Sequence, residues 1–182
     1  MLMKEIVVIG RGGQGAVTST QILAVAAFND GMHSQSFPNF GIERMGAPVR
    51  SYCRIDAKPI NLREQVYTAD YAIVLDSTLS RHFHEKISKL VIVNSNKCAE
   101  DMCIDTKAQV RCVDITAIAM NTIGKPFVNI AALGAFAALT GEVSLKSLEE
   151  AIKLQMGSKG SAVEKNLAAI EEVYNLANKT KQ

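Results

Sequence analysis

Between a run of β-branched apolar residues and a segment of small residues stands the hexapeptide Gly10-Arg11-Gly12-Gly13-Gln14-Gly15. Glycines let backbone N–H groups approach an anion closely, and a helix start adds unpaired N–H groups and the positive end of its dipole, so a phosphate would bind here. Arg11 supplies a guanidinium fork suited to the same charge. The spacing completes G-x-G-x-x-G at Gly10, Gly12 and Gly15, the pattern of a dinucleotide loop. It fails as a P-loop: Ala16 and Val17 stand where Lys and then Ser or Thr are required. The dinucleotide reading is incomplete as well. The second strand, about 32–36, ends without the carboxylate that would hold a ribose; Asp30 precedes it in a turn, and Phe37-Pro38 follow. A plain strand-to-helix turn accounts for the same glycines.

Other reactive side chains form no convincing site. Cys53, Cys98, Cys103 and Cys112 lack paired C-x-x-C spacing, which excludes zinc-ribbon and ferredoxin-type cluster patterns and leaves them as thiols. His82 and His84 flank Phe83 in a stretch that reads as helix or loop, where residues two apart do not face one another, so a solvated surface is the better reading. Lys plus Arg number 20 against 18 Asp plus Glu, a formal charge of +2, too small to imply a nucleic-acid partner. The charge-free stretches 12–29 and 126–141 are broken by polar residues and read as no membrane span. The start, Met1-Leu2-Met3-Lys4-Glu5, lacks the features of a signal peptide, and a cytoplasmic location is expected.

The elements that must position the loop follow from periodicity. Glu5–Ile9, Tyr71–Leu75, Leu90–Val93 and Val110–Asp114 read as strands covered on both faces, and Pro48–Ile55 as a strand of mixed polarity. Residues 14–29 make a small-residue helix closed by the Asn29-Asp30-Gly31 turn. Ile115–Gly124 and Val128–Gly141 are further helices; Ser144 caps a run with Leu145, Leu148, Ile152 and Met156 on one face, and a last amphipathic helix covers about 162–178. With 48% hydrophobic residues over 182 positions, one domain, 1–182, is expected. The predicted fold is α/β: a three-layer α/β/α sandwich with a largely parallel sheet and helices between its strands, plus two C-terminal helices.

A second motif is less generic. Phe37-Pro38-Asn39-Phe40-Gly41-Ile42-Glu43-Arg44-Met45-Gly46-Ala47-Pro48, read with Gly10–Thr18, resembles the gamma subunit, or corresponding domain, of pyruvate:ferredoxin oxidoreductases. In that family a glycine loop is followed by an F-P-x-[FY]-G-x-E-R-x-G-A-P segment, and every fixed position is present. The likeness continues through 69–76, 113–119 and 129–135.

The resemblance implies a subunit of an assembly that oxidatively decarboxylates a 2-oxoacid, here of the pyruvate or branched-chain type, to acyl-CoA, carbon dioxide and reduced ferredoxin. Thiamine diphosphate, magnesium and iron–sulfur clusters are then expected on partner subunits, with ferredoxin or flavodoxin as acceptor. No Gly-Asp-Gly motif of thiamine enzymes occurs in this chain. The chain itself would be non-redox, structural or concerned with coenzyme A. Gly10, Arg11, Gly12, Gly13, Gln14 and Gly15, with Glu43 and Arg44, are the candidate cofactor-binding residues, Arg11 and Arg44 meeting CoA phosphates. Glu43 and Arg44 paired with each other is the structural alternative. A stand-alone nucleotide-binding reductase and a nucleotide-sensing module are the competing functions, resting on the same glycines.

Overall fold

A computed structural model describes residues 3–39, 46–83, 86–97, 99–102, 104–157 and 160–180. The strands are β1 (Lys4–Arg11), β2 (His33–Pro38), β3 (Pro48–Asp56), β4 (Thr68–Val74), β5 (Lys86–Asn94) and β6 (Gln109–Val113). The helices are α1 (Ala16–Asn29), α2 (Ile115–Thr122), α3 (Val128–Thr140), α4 (Leu145–Met156) and α5 (Ser161–Lys179). One sheet takes the order β2-β3-β1-β4-β5-β6. β1, β4, β5 and β6 run parallel; β3 is antiparallel and lies between β1 and β2.

The apolar strands are buried on both faces because their side chains alternate. Ile6, Val8, Ile73 and Ile92 turn towards a core shared with all five helices. Val7, Ile9, Val74 and Val91 turn to the other face, which Leu79, Phe83 and Met102 cover from short segments. α3 is buried almost all round, as a helix without a polar face must be. Gly134 lets α5 cross it at close range, since a β-carbon there would collide with the Ile170 carbonyl oxygen.

The α/β class and the largely parallel sheet agree with the sequence reading, and the two C-terminal helices are present. The distribution of helices differs from it. After β2 no α-helix occurs among the described residues until α2: the crossovers 75–85 and 95–108 carry only the 3-10 turns Ser77–His82 and Ala99–Met102. Each is long enough for a parallel return, about a dozen residues, but helix initiation is unfavourable and short segments do not repay it. The outer layer on that face is therefore thin.

Arg54, 1% exposed on β3, ties the 57–67 connection to the sheet. Its Nε donates to Glu5 Oε1 at 2.8 Å, its Nη2 to the Glu64 carbonyl at 2.7 Å, and its guanidinium carbon lies 4.9 Å from the centre of the Phe37 ring.

Candidate functional site

The glycine loop leaves β1 at the carboxyl end of the parallel strands, where open α/β sheets bind ligands. Gly13 and Gly15 take left-handed φ of 94° and 79°. At Gly15 two constraints coincide, because a β-carbon would also stand 2.5 Å from Asn129 Nδ2. Its absence lets the start of α3 approach the start of α1. The Ser19 hydroxyl joins them, 3.0 Å from the Asn129 carbonyl and 3.1 Å from that of Gly15. Gly12 N–H donates to the Ala47 carbonyl at 2.8 Å, fastening the loop to the strand that follows the second motif.

Arg11 and Gln14 brace this loop from within. The Arg11 guanidinium donates to Asp76 Oδ2 at 2.9 Å, to the Gly46 carbonyl at 3.0 Å and to Thr78 Oγ1 at 2.7 Å. Gln14 Oε1 accepts the Arg11 backbone N–H at 2.6 Å. Partial burial by itself would raise the Asp76 carboxyl, but hydrogen bonds from Thr78 and the Arg11 guanidinium outweigh it and hold the group below the usual carboxylate range. The fork assigned to a phosphate by the sequence thus faces three protein acceptors.

A cavity of about 910 Å³ opens above the loop, at the upper end of the range for small-molecule sites, about 300–1,000 Å³. Its walls come from four strand ends and three helix starts: Gly13-Gln14-Gly15, Leu75-Asp76-Ser77, Asn94-Ser95-Asn96, Asp114 with Thr116 and Ala117, and Pro126 to Asn129. Asn94 locks two walls together, donating to the Leu75 carbonyl at 3.0 Å and to Thr116 Oγ1 at 2.9 Å while accepting the Thr116 N–H at 3.1 Å. Asp114 caps α2 by accepting the Ala117 N–H at 3.0 Å. α1 and α3 have no side-chain cap; their N-cap positions hold Gly15 and Phe127. Two helix dipoles with free N–H groups therefore meet in one cavity, which suits an anionic, phosphate-bearing ligand.

Of the residues named from sequence, Gly13, Gln14 and Gly15 line the cavity. Gly10, Arg11 and Gly12 support it from behind, and Glu43 and Arg44 lie outside the described residues. Cys98, Cys103 and His84 also lie outside them; Cys53 is fully buried, and burial pushes its thiol up, away from reactivity. Asp76, Asn94, Thr116, Phe127 and Asn129 were not named as site residues. A signal for the first two exists: each follows an apolar strand directly, as Asp114 does.

Comparison with known proteins agrees with this architecture. The family model described as pyruvate ferredoxin/flavodoxin oxidoreductase matches residues 5–176, and the chain belongs to that family. The pyruvate synthase subunit PorC of Methanosarcina barkeri is 50% identical over 155 residues, covering 83% of this chain and 85% of that one. The pyruvate/ketoisovalerate oxidoreductases common subunit gamma of Thermococcus kodakarensis is 45% identical over 180 residues, covering 95% and 96%. Among solved structures, the pyruvate oxidoreductase subunit PORC of Thermotoga maritima superposes with a TM-score of 0.84 at 33% identity, covering 96% of this chain and 97% of its own.

Proposed function

We propose that this chain, acting as one domain, is the gamma subunit of a multi-subunit pyruvate-type 2-oxoacid:ferredoxin oxidoreductase, and that its cavity receives part of coenzyme A. The assembly converts a 2-oxoacid and CoA to acyl-CoA and carbon dioxide, passing electrons to ferredoxin or flavodoxin. Partner subunits hold the thiamine diphosphate, magnesium and iron–sulfur clusters. The chain works in the cytoplasm; among the described residues no helix is long and apolar enough to cross a membrane. One relative's description as a subunit common to pyruvate and ketoisovalerate oxidoreductases supports placing the choice of 2-oxoacid on the partner chains, because a shared subunit cannot make that choice.

The observation that carries the CoA reading is the convergence of the uncapped α1 and α3 starts on the glycine-floored cavity. Arg11 then acts by holding the loop rather than by meeting a phosphate. The test is calorimetric titration of the full chain with CoA and ADP, together with CoA kinetics of the assembled enzyme carrying Gly13→Ala. That residue lines the cavity at positive φ with nothing within 4 Å of a β-carbon, so the substitution strains the loop without a clash. The expected result is a raised CoA KM with the 2-oxoacid KM unchanged. Absence of CoA and ADP binding, with unaltered CoA kinetics in the variant, removes the ligand from this cavity.

A further inference from the structure

Phe127 breaks two local rules at once. It occupies the N-cap of α3, where Ser, Thr, Asp or Asn would satisfy a free N–H and an aromatic ring satisfies none. It also leaves 54% of its surface exposed although it precedes a helix buried almost all round. Departures from local preference without a structural return are expected where a sequence serves function. The ring stands on the wall of the cavity beside Pro126 and Asn129.

Its position is fixed. Gly124 turns the chain at a φ of 81°, Pro126 restricts the next step, and the Phe127 N–H donates to the Lys125 carbonyl at 2.8 Å. Lys125 Nζ lies 5.7 Å from the ring centre, within cation–π reach. The ammonium attends the ring while more than half of the residue remains open. Size points the same way, since a diphosphate alone would leave most of a cavity of about 910 Å³ empty. Among the described residues, Phe127 is the one aromatic that lines this volume.

We propose that Phe127, attended by Lys125, is the stacking platform for the planar heteroaromatic base of a nucleotide-type ligand in this cavity. The proposal rests on reading the cavity as a receptor for part of CoA, and it assigns the base end of that ligand to the α2–α3 connection. A flat aromatic ring accepts any π-face, so discrimination between bases is not expected from Phe127 itself.

The experiment is titration of the full-length chain with ADP and with inorganic pyrophosphate, for the wild type and for Phe127→Ala, Phe127→Leu and Phe127→Trp, each checked for folding by thermal denaturation. Wild type should bind ADP more tightly than pyrophosphate. Phe127→Ala and Phe127→Leu should each weaken ADP by about five- to a hundred-fold and leave pyrophosphate unchanged, while Phe127→Trp retains ADP affinity. Leucine is the informative variant, because a merely apolar packing role would tolerate it. Unchanged ADP affinity in Phe127→Leu overturns the proposal, as does equal wild-type affinity for ADP and pyrophosphate; in both cases the phosphate reading of the cavity stands. Failure of both ligands to bind wild type overturns the cavity reading and this proposal together. Reduced yield of the assembled complex from Phe127→Ala, with ADP affinity intact, would place the ring in a subunit contact instead.

Discussion

β1 carries an arginine–carboxylate pair at each end, and the two have the same geometry but different burial. At the amino end Glu5 accepts from Arg54 Nε at 2.8 Å; at the carboxyl end Arg11 Nε donates to Asp76 at 2.9 Å. The Arg54 side chain is 1% exposed and that of Arg11 38%. The remaining charges follow the same division. Beside the buried pair, Lys4, Lys89, Asp70 and Glu142 gather around Tyr71, whose hydroxyl donates to Glu142 at 2.6 Å and is pushed up to about 12, first by burial and then by that hydrogen bond. At the carboxyl end the helix starts of α1 and α3 stay without side-chain caps around a cavity, while α4 is capped by Ser144. One end of the sheet closes its polar groups on one another; the other leaves N–H groups for something else. The same chemical pair is structural ballast below and a brace for the glycine loop above.

The comparison breaks hardest at Arg54. Its replacement by Ala takes the cation from the part-buried Glu5 and the donor from the Glu64 carbonyl, and leaves a cavity where a side chain only 1% exposed had packed, a combined loss of about 3–5 kcal/mol. Denaturant unfolding should show this loss, while CoA affinity of whatever fraction stays folded remains unchanged. An equal fall in CoA affinity would join the two ends energetically and undo the division.

Gly15→Ala tests the upper end with the next largest effect. A left-handed φ of 79° costs a non-glycine residue about 1–2 kcal/mol, and the contact with Asn129 adds about 1–3 kcal/mol. Gly141→Ala, at the C-cap of α3 with φ of 69° and open space around it, carries the strain alone. The pair of variants should therefore differ in thermal stability, and only Gly15→Ala should also raise the CoA KM. Matching effects on CoA would mean that the α1–α3 contact does not shape the cavity.

Much of this arrangement was legible from sequence, for definite reasons. The β1 run ending at a glycine loop and the small-residue helix after it are local patterns, and local patterns survive folding. The Phe37–Pro48 motif placed the chain in its family although Glu43 and Arg44 lie outside the described residues. What could not be read is non-local. Arg11 meets Asp76 and Thr78, 65 and 67 positions away, so its fork looked available for a ligand. β3 runs antiparallel inside a parallel sheet because the chain doubles back after β2, and alternation of apolar residues does not report strand direction. Cavity walls from Asn94 to Asn129 assemble only when four strand ends align. Phe127 went unread, because its meaning at the uncapped start of α3 depends on the cavity beside it.

Arg11→Ala should have a smaller effect on stability than either substitution above. The guanidinium is more than one-third exposed, so its pair with Asp76 is screened and contributes about 0.2–1 kcal/mol. The loop it holds is the cavity floor, so the expected signature is a raised CoA KM at nearly unchanged melting temperature. Arg11→Lys separates bracing from charge. An ammonium keeps the charge but cannot reach Asp76, Gly46 and Thr78 in the same planar fork, so it should recover only part of the loss. Full recovery by Lys in CoA kinetics would return Arg11 to direct phosphate contact.

An effect on stability alone, with none on CoA, is expected at the capped helix that contrasts with α1 and α3. Asp30 follows α1 and closes the start of α4: its Oδ2 accepts the Ser144 N–H at 2.7 Å, and its Oδ1 accepts the Ser144 and Ser147 hydroxyls at 2.7 and 2.6 Å. Partial burial works to raise this carboxyl, but the hydrogen bonds from Ser147 and Ser144 prevail and hold it below the ordinary value of 3.8. A carboxyl depressed by folding stabilises the native state above its unfolded pKa, about 3.9, and that contribution disappears as pH falls through the lower folded value. Asp30→Asn removes the charge and one strong acceptor, so at pH 7 the variant should be less stable by about 0.5–1 kcal/mol, the low end for a lost cap because the site is exposed. Denaturant unfolding at pH 7, 4 and 3 should show the gap between wild type and variant holding at the first pH, beginning to close at the second and narrowing further at the third. A gap independent of pH would mean that the carboxylate charge adds nothing to the cap, and that Asp30 acts only as a hydrogen-bond acceptor for Ser144 and Ser147.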